Sequence, residues 1–189
     1  MYCGDNLGTD IDHFEPISSA PVKTFEWINH LLACSFCNSN AKRNLFPRDL
    51  DGRALLIDPT AEDPSSHLAL RLSDGKYRAL SLRGQASIDV FGLNRADLSI
   101  GRAKVFVTRG QLLCRARDLF DQNLEAKVFQ CLDGIASEPH ASVLHAIIRT
   151  LEHPAAAEVL GSDIVAALSE PEFLSLVCQM LSIPAAVPG

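Results

Sequence analysis

The spacing of three cysteines constrains the first fifty residues of this chain more than any other feature. Cys34 and Cys37 form a Cys-x-x-Cys pair, and Cys3 lies upstream. Two thiols separated by two residues can fold back on one ion, so the pair predicts a tight turn around zinc. A second such pair would need a cysteine three residues before Cys3. We therefore expect the natural chain to start further upstream. The alternatives are a three-thiolate zinc completed by water or His30, and loss of the zinc.

The composition is that of a globular protein without an export signal. The 189 residues are 47% hydrophobic and 21% charged, which argues against wholesale disorder. No run of about 18 apolar residues predicts a membrane span, and residues 1–5 do not resemble a signal peptide. We therefore expect a cytoplasmic protein with reduced or metal-bound cysteines. The net charge of −6 argues against binding nucleic acid over the whole surface, so a partner could supply part of that affinity.

The N-terminal segment predicts short strands followed by helices. Residues 1–23 are rich in turn formers and read as a turn with short strands. Thr24 is a candidate helix cap. The apolar positions of that helix are Phe25, Ile28, Leu31 and Leu32. A second short helix is expected at residues 38–44, with Lys42 and Arg43 facing outward.

The middle segment predicts short strands. Residues 53–59 are typical of a strand that ends at a turn. Residues 67–72 and 77–82 alternate apolar and polar side chains around Asp74-Gly75, which predicts a hairpin. Residues 87–91 predict a further strand.

The pattern becomes helical from Leu93. Apolar residues recur there at a spacing of seven, at Leu98, Val105, Leu112 and Leu119. Shorter amphipathic helices are predicted at residues 142–153, 155–168 and 170–181. Residues 184–189 are expected to fray.

Four polar side chains between positions 12 and 38 suit phosphodiester hydrolysis, which needs an activated water and neutralisation of phosphate charge. His13 is the candidate general base, and Asp12 is a hard oxygen ligand of the kind that Mg²⁺ prefers. Asn29 could hold the His13 imidazole through its side chain or its backbone carbonyl, and Asn38 could supply a second oxygen. The alternatives are that Asn29 is a solvated or capping residue and that the cysteines are buried thiols or a redox pair.

Residues 3–47 resemble the HNH endonuclease family, whose core is the ββα-metal fold. The matching segments are residues 2–4, 12–16, 27–31 and 34–43. The resemblance implies that His13 is the general base, oriented by Asn29. It implies that Asp12 and Asn38 hold a catalytic Mg²⁺ or Mn²⁺, because an asparagine in place of the usual histidine favours a hard ion. The structural Zn²⁺ would be held by Cys3, Cys34 and Cys37, and the nucleic acid would be bound by Lys42 and Arg43.

Residues 55–59 and 84–95 resemble HNH proteins of bacterial anti-phage systems. Those of the Septu type, and some retron-associated effectors, work beside an ATPase partner. The resemblance implies DNA as the substrate and an ATPase protein partner that docks on the helical region. The alternative is that these apolar positions form the protein's own core.

Together these features predict an α+β protein. Residues 1–50 would form a ββα-metal HNH module with a zinc knot, residues 51–92 a short-strand and hairpin extension, and residues 93–189 a mainly α-helical region. Two other functions remain open. One is a catalytically degenerate zinc-binding interaction module. The other is a thiol oxidoreductase that uses Cys34 and Cys37, although the strand-then-helix context of such enzymes is missing.

Overall fold

The computed structural model describes residues 2–5 and 7–183 and confirms an α+β protein. The chain divides into two compact units, Met1–Gly101 and Arg102–Gly189. Within the described part of the chain, no helix combines the length and the apolar character needed to cross a bilayer.

The first unit begins with two antiparallel strands, β1 (Asp10–His13) and β2 (His30–Ala33). Their register places His13 opposite His30. Because successive side chains of a strand point to opposite faces, Asp12 and His13 lie on different faces of this pair. Asp12 is buried, whereas His13 is only partly buried. Two neighbours in the sequence therefore face different surroundings.

The helix predicted from Thr24 is wrong. Two 3₁₀ turns, Pro21–Lys23 and Trp27–Asn29, occupy this segment before β2 begins. In β2, Leu31 is buried and Leu32 is half exposed, which is the alternation of a strand. Hydrogen bonding to β1 therefore outweighs the helical spacing of the apolar residues.

A seven-residue π-helical segment, Phe36–Lys42, follows β2 at about the place of the short helix predicted at residues 38–44. The prediction that Lys42 faces outward is wrong, because its side chain is completely buried. The Arg43 N–H donates to the Asn38 carbonyl at 2.8 Å, an i→i+5 bond. This wider winding differs from that of an α-helix and turns Lys42 inward. Arg43 is exposed, as predicted.

The hairpin around Asp74-Gly75 is confirmed. It consists of β3 (Leu68–Arg71) and β4 (Lys76–Ala79), which pair in antiparallel register. Gly75 at the turn has a φ of 67°, a left-handed conformation that glycine adopts without strain.

The strand predicted at residues 53–59 is wrong. An isolated bridge between Arg48 and Ala54 is the strand pairing that this segment makes in the described structure. The Ile57 N–H donates to the Ser87 hydroxyl at 3.0 Å, so a side chain satisfies the backbone where a neighbouring strand was expected.

The strand predicted at residues 87–91 is also wrong, because the segment is the second half of helix α1 (Leu82–Phe91). Ser81 caps this helix by accepting a hydrogen bond from the Gly84 N–H at 3.1 Å. Gly92 ends it with a φ of 56°. These two caps define the helix.

One apolar core holds the first unit together. Its buried members are Cys3, Cys37, Leu56, Ile57, Leu68, Ile88, Phe91, Leu93 and Leu98. The Tyr2 ring stacks on the Phe91 ring with 3.9 Å between centroids. The core therefore joins the N-terminal segment and the π-helical segment to α1.

The long helix predicted by the spacing of seven is confirmed as α2 (Ala96–Asp121). It begins in the first unit and continues into the second. Gly110 lies within it, and a Cβ atom there would be 2.5 Å from the Ile164 side chain. The missing side chain thus permits close packing inside the second unit.

The second unit is helical. It contains α3 (Glu125–Ser137), α4 (Ala141–Thr150), α5 (Ala156–Leu160), α6 (Ser162–Leu168) and α7 (Pro171–Met180). The three predicted short helices are confirmed, although the middle one is broken at Gly161, whose φ is 89°. Helix α3 was not predicted separately. The fraying predicted for residues 184–189 lies outside the described residues.

Candidate active site and metal centre

The three predicted zinc ligands, Cys3, Cys34 and Cys37, converge on one point. Their sulfur atoms all lie within 4.8 Å of one another, and the Cys3 and Cys34 Sγ atoms are 3.7 Å apart. A tetrahedral zinc with bonds of about 2.3 Å holds its sulfurs about 3.8 Å apart. The donor set therefore fits three positions of a zinc site. Over the described residues, no further histidine, cysteine or acidic side chain joins this group.

Hydrogen bonds to sulfur favour the thiolate form at one member of the cluster. The Cys37 N–H donates to Cys34 Sγ at 3.4 Å. Hydrogen bonding from the Cys37 thiol lowers the pKa of Cys3 to about 5, helped by the Asp5 backbone and the Arg95 side chain. Conversely, the Cys3 sulfur and burial raise the pKa of Cys37. The cluster therefore favours a thiolate at Cys3 over one at Cys37, and thiolates are the form that binds metal.

His30 does not complete this site, so the alternative in which it is the fourth zinc ligand is wrong. Its Nε2 lies 3.2 Å from the Nε2 of His13, and the two rings meet edge to face with centroids 4.6 Å apart. The β1–β2 register, which places the two histidines opposite each other, causes this arrangement.

The hydrogen bonds of His13 fix its tautomer. Its Nε2 lies 3.2 Å from the carbonyl oxygen of Thr24. A carbonyl oxygen can only accept, so we infer that Nε2 carries the proton and Nδ1 keeps the lone pair. Nδ1 is then the ring nitrogen that can accept a proton.

Asn29 acts on His13 only indirectly, by holding the backbone of the loop. The prediction that Asn29 holds the imidazole directly, through its side chain or its backbone carbonyl, is wrong. Its Oδ1 accepts from the Glu15 N–H at 2.8 Å, and its Nδ2 donates to the carbonyls of Glu15 at 3.1 Å and Lys23 at 3.2 Å. This buried amide closes the loop between β1 and β2. It thereby positions Thr24, whose carbonyl binds the ring.

An ion-pair cluster secures the same loop from outside. Glu15 accepts from Lys23 Nζ at 2.6 Å and also pairs with Arg48. The Lys23 hydrogen bond is the main cause that lowers the pKa of Glu15, and Arg48 adds to it. Both cations are partly exposed, and their charge is shared with this one carboxylate.

Asp12, a predicted metal ligand, is satisfied by the protein itself. Its Oδ1 accepts from Lys42 Nζ at 3.0 Å, and its Oδ2 accepts from the Tyr2 hydroxyl at 2.5 Å. Lys42 also donates to the His13 carbonyl at 2.6 Å. Burial lowers the pKa of Lys42, against the opposing effect of Asp12, and burial with the Asp12 charge raises the pKa of Tyr2.

Asn38, the other predicted ligand, lies against a different carboxylate. Its Nδ2 is 3.4 Å from Asp10 Oδ2, and the Ser39 hydroxyl is also 3.4 Å from that oxygen. Asp12 and Asn38 thus belong to separate hydrogen-bond groups. As arranged here, they do not fit a divalent ion held by both.

Three contributors to the site were missed from the sequence. The sequence gives Tyr2 no role beyond its place in the matching segment 2–4, predicts Thr24 only as a helix cap, and gives Asp10 no role. The alternation of β1 places Asp10 and Asp12 on one face, which is a readable signal. Thr24 contributes its backbone carbonyl, and the residue type does not reveal such a role.

Comparison with known proteins gives one informative similarity. The chain is 27% identical to the Septu protein PtuB of Bacillus mycoides (strain KBAB4) over 154 residues. The chain is thus similar to a Septu protein. The aligned stretch covers 68% of this chain and 47% of PtuB, so the chain spans about half the length of the curated relative it matches. No protein-family model matches the chain, and no solved structure matches it.

Proposed function

We propose that this chain is a Septu-type anti-phage defence protein and that it acts as an HNH endonuclease on DNA phosphodiester bonds. The similarity to Septu protein PtuB supports the defence role. The nuclease role rests on one observation above the others. The Nε2 of His13 lies 3.2 Å from the Thr24 carbonyl, which orients the ring so that Nδ1 is the nitrogen available to act as a base.

In this proposal Nδ1 of His13 takes a proton from a water molecule, and the resulting hydroxide attacks the phosphorus in line with the leaving oxygen. The ester bond between the phosphorus and that oxygen breaks, and the oxygen takes up a proton from solvent. The Thr24 carbonyl stabilises the imidazolium that forms, because it already accepts the Nε2–H. Asn29 keeps that carbonyl in place by closing the loop. Mg²⁺ or Mn²⁺ is the proposed catalytic cofactor, although Asp12 and Asn38 as arranged do not fit an ion held by both.

Zinc is the proposed structural cofactor at Cys3, Cys34 and Cys37. When bound, it would supply a cross-link between the N-terminal segment and the turn after β2. The exposed Arg43 remains a proposed contact for nucleic acid. Lys42 is not retained in that role, because it is buried against Asp12.

An ATPase protein is the proposed partner, with the helical region as its docking surface. The net charge of −6 is consistent with a nuclease that depends on another protein for part of its affinity for DNA.

A catalytically degenerate zinc-binding module is the second candidate function. It is favoured by the state of Asp12, whose two oxygens are both bonded to the chain's own groups. The thiol site would then be the functional centre, and His13 and His30 would have no catalytic role.

The decisive experiment measures plasmid nicking by the protein with its ATPase partner and Mg²⁺. We expect His13→Ala to reduce nicking at least about 100-fold, because general-base catalysis typically contributes 10²–10⁴-fold. His153→Ala, at an exposed histidine of the second unit, is the matched control and should nick like the wild type. If both variants cut normally, the assignment of His13 is wrong. If even the wild type does not cut, the degenerate module is favoured.

A further inference from the structure

The loop between β1 and β2 exposes large apolar side chains to an unusual degree. Phe25 is 93% exposed and Trp27 is 89% exposed, with Val22 at 88% and Ile28 at 65%. A contiguous group of this kind marks a binding site on a soluble protein more often than it occurs by chance.

The loop presents these rings on a fixed backbone. The Glu26 N–H donates to the Lys23 carbonyl at 3.2 Å, and the Asn29 N–H donates to the Glu26 carbonyl at 3.0 Å. The side chain of Asn29 holds the Lys23 carbonyl as well. A cleft of 280 Å³ beside the loop is lined by Glu26 and Ile28 together with the Glu15 ion pairs. Phe25 and Trp27 do not line it, and their side chains are exposed to solvent.

The position of the loop identifies that ligand. Phe25 directly follows Thr24, the residue whose carbonyl binds His13, and consecutive Cα atoms are about 3.8 Å apart. A phosphodiester that reaches His13 therefore brings its neighbouring nucleotides to this loop.

The chemistry of the loop also favours bases over phosphates. Aromatic faces stack on the faces of unpaired bases, which are buried against each other inside a duplex. The cations that border the loop, Lys23 and Arg48, are already paired with Glu15. Stacking is therefore the larger source of affinity here, and the dependence on salt should be shallow.

We propose that Phe25 and Trp27 form a stacking site for unpaired DNA bases next to the scissile phosphodiester. The inference rests on the proposed nuclease function and adds a substrate class, namely DNA that is single-stranded or locally opened. The two aromatic residues hold the strand, and His13 acts on the backbone between or beside the stacked bases.

Trp27 is the chain's single tryptophan, which makes the proposal directly measurable. The full chain, without added Mg²⁺, is titrated with a 12-nucleotide thymidine oligonucleotide while its fluorescence is recorded. We expect quenching by the single strand and much weaker quenching by a duplex of equal length. Phe25→Ala retains the fluorophore and should weaken binding about 5- to 150-fold, the range for loss of one base–aromatic contact.

Matched variants separate stacking from other causes. Binding of a labelled oligonucleotide, followed by anisotropy, should be weakened by Trp27→Ala and largely kept by Trp27→Phe. Phe129→Ala, at an aromatic residue of α3 that is 45% exposed, should bind like the wild type. Equal affinity for single strand and duplex, or wild-type affinity of Phe25→Ala and Trp27→Ala, would overturn the proposal. So would normal oligonucleotide binding by these two variants together with loss of binding to the purified ATPase partner.

The failures of the two proposals can be distinguished, because this titration needs no catalysis. His13→Ala should bind the oligonucleotide like the wild type. If His13→Ala also nicks normally, the nuclease assignment fails and the stacking result still stands. If stacking fails while His13→Ala is inactive, the nuclease assignment stands without this substrate class.

Discussion

The thiol cluster and the carboxylate at Asp12 differ in the partners for which they are arranged. The sulfurs of Cys3 and Cys34 are 3.7 Å apart, which is the spacing of two ligands on one ion, whereas Asp12 already has Lys42 at 3.0 Å. One group of negative charge is arranged around a point that a metal can fill. The other is neutralised by an ammonium group.

This difference shows what a motif can and cannot specify. The Cys-x-x-Cys turn requires little more than local geometry, so its spacing in sequence is enough to predict convergence. The role of Asp12 depends on which side chains reach it from elsewhere, here Tyr2 and Lys42. Two predictions test this contrast between a site open to metal and a site closed by the protein, and a third tests the ion pairs of the neighbouring loop.

The largest effect is expected at the thiol site. We expect Cys37→Ser to remove bound zinc and to destabilise the first unit by about 5 kcal/mol or more, since structural zinc binds small modules with about 10–16 kcal/mol. Zinc content is measured by elemental analysis, and unfolding in urea is followed by Trp27 fluorescence. Cys114→Ser, a cysteine outside the cluster, is the control and should leave both quantities unchanged. Wild-type zinc content in Cys37→Ser would contradict the prediction that the thiol cluster binds the metal.

The next effect concerns the closed site. Lys42→Met leaves the buried Asp12 carboxylate without its cation, and we expect a loss of about 3–5 kcal/mol in the free energy of unfolding. The double variant Asp12→Asn with Lys42→Met should lose less, because no uncompensated charge remains. Lys104→Met, at an exposed lysine, should stay within about 0.5 kcal/mol of the wild type. Equal stability of Lys42→Met and wild type would show that the ion pair does not hold Asp12.

The smallest effect is expected at the ion pairs of the loop. The pKa of Glu15 is lowered below its ordinary 4.5, so the unfolded chain binds this proton first as pH falls. The stabilisation is therefore complete above about pH 4.5 and is lost as pH falls through the folded pKa. Glu15→Gln should cost about 0.5–1 kcal/mol at pH 7, because its cations are partly exposed. Stability measured between pH 3 and 7 checks this, with the exposed Glu158→Gln as control.

The hairpin and the long helix could be predicted from the sequence because their signals are local. Asp74-Gly75 between alternating segments predicts the hairpin, and the spacing of seven from Leu98 predicts α2. Helix α1 was missed although Ser81 and Gly92 are ordinary capping residues at its two ends. The short segment at residues 87–91 contains apolar and polar side chains that suit a strand or a helix equally well, and only the caps decide between them.

The candidate site was predicted less well because its arrangement depends on pairing between distant segments. Phe25, Ile28 and Leu31 have helical spacing, yet β2 forms because β1 offers it a partner 20 residues earlier, with Asp10 opposite Ala33 among the pairs. That pairing places His30 beside His13 and leaves the aromatic loop exposed. Likewise, the burial of Lys42 depends on the π-helical winding, which the residue types do not reveal.

The short N-terminal segment connects the two groups of charge. Tyr2 donates to Asp12, and the next residue, Cys3, belongs to the thiol cluster. Because Tyr2 and Cys3 are adjacent, a displacement of this segment would move a partner of Asp12 and a member of the thiol cluster together. Any coupling free energy between metal binding at the cluster and the Tyr2–Asp12 hydrogen bond would have to be reciprocal.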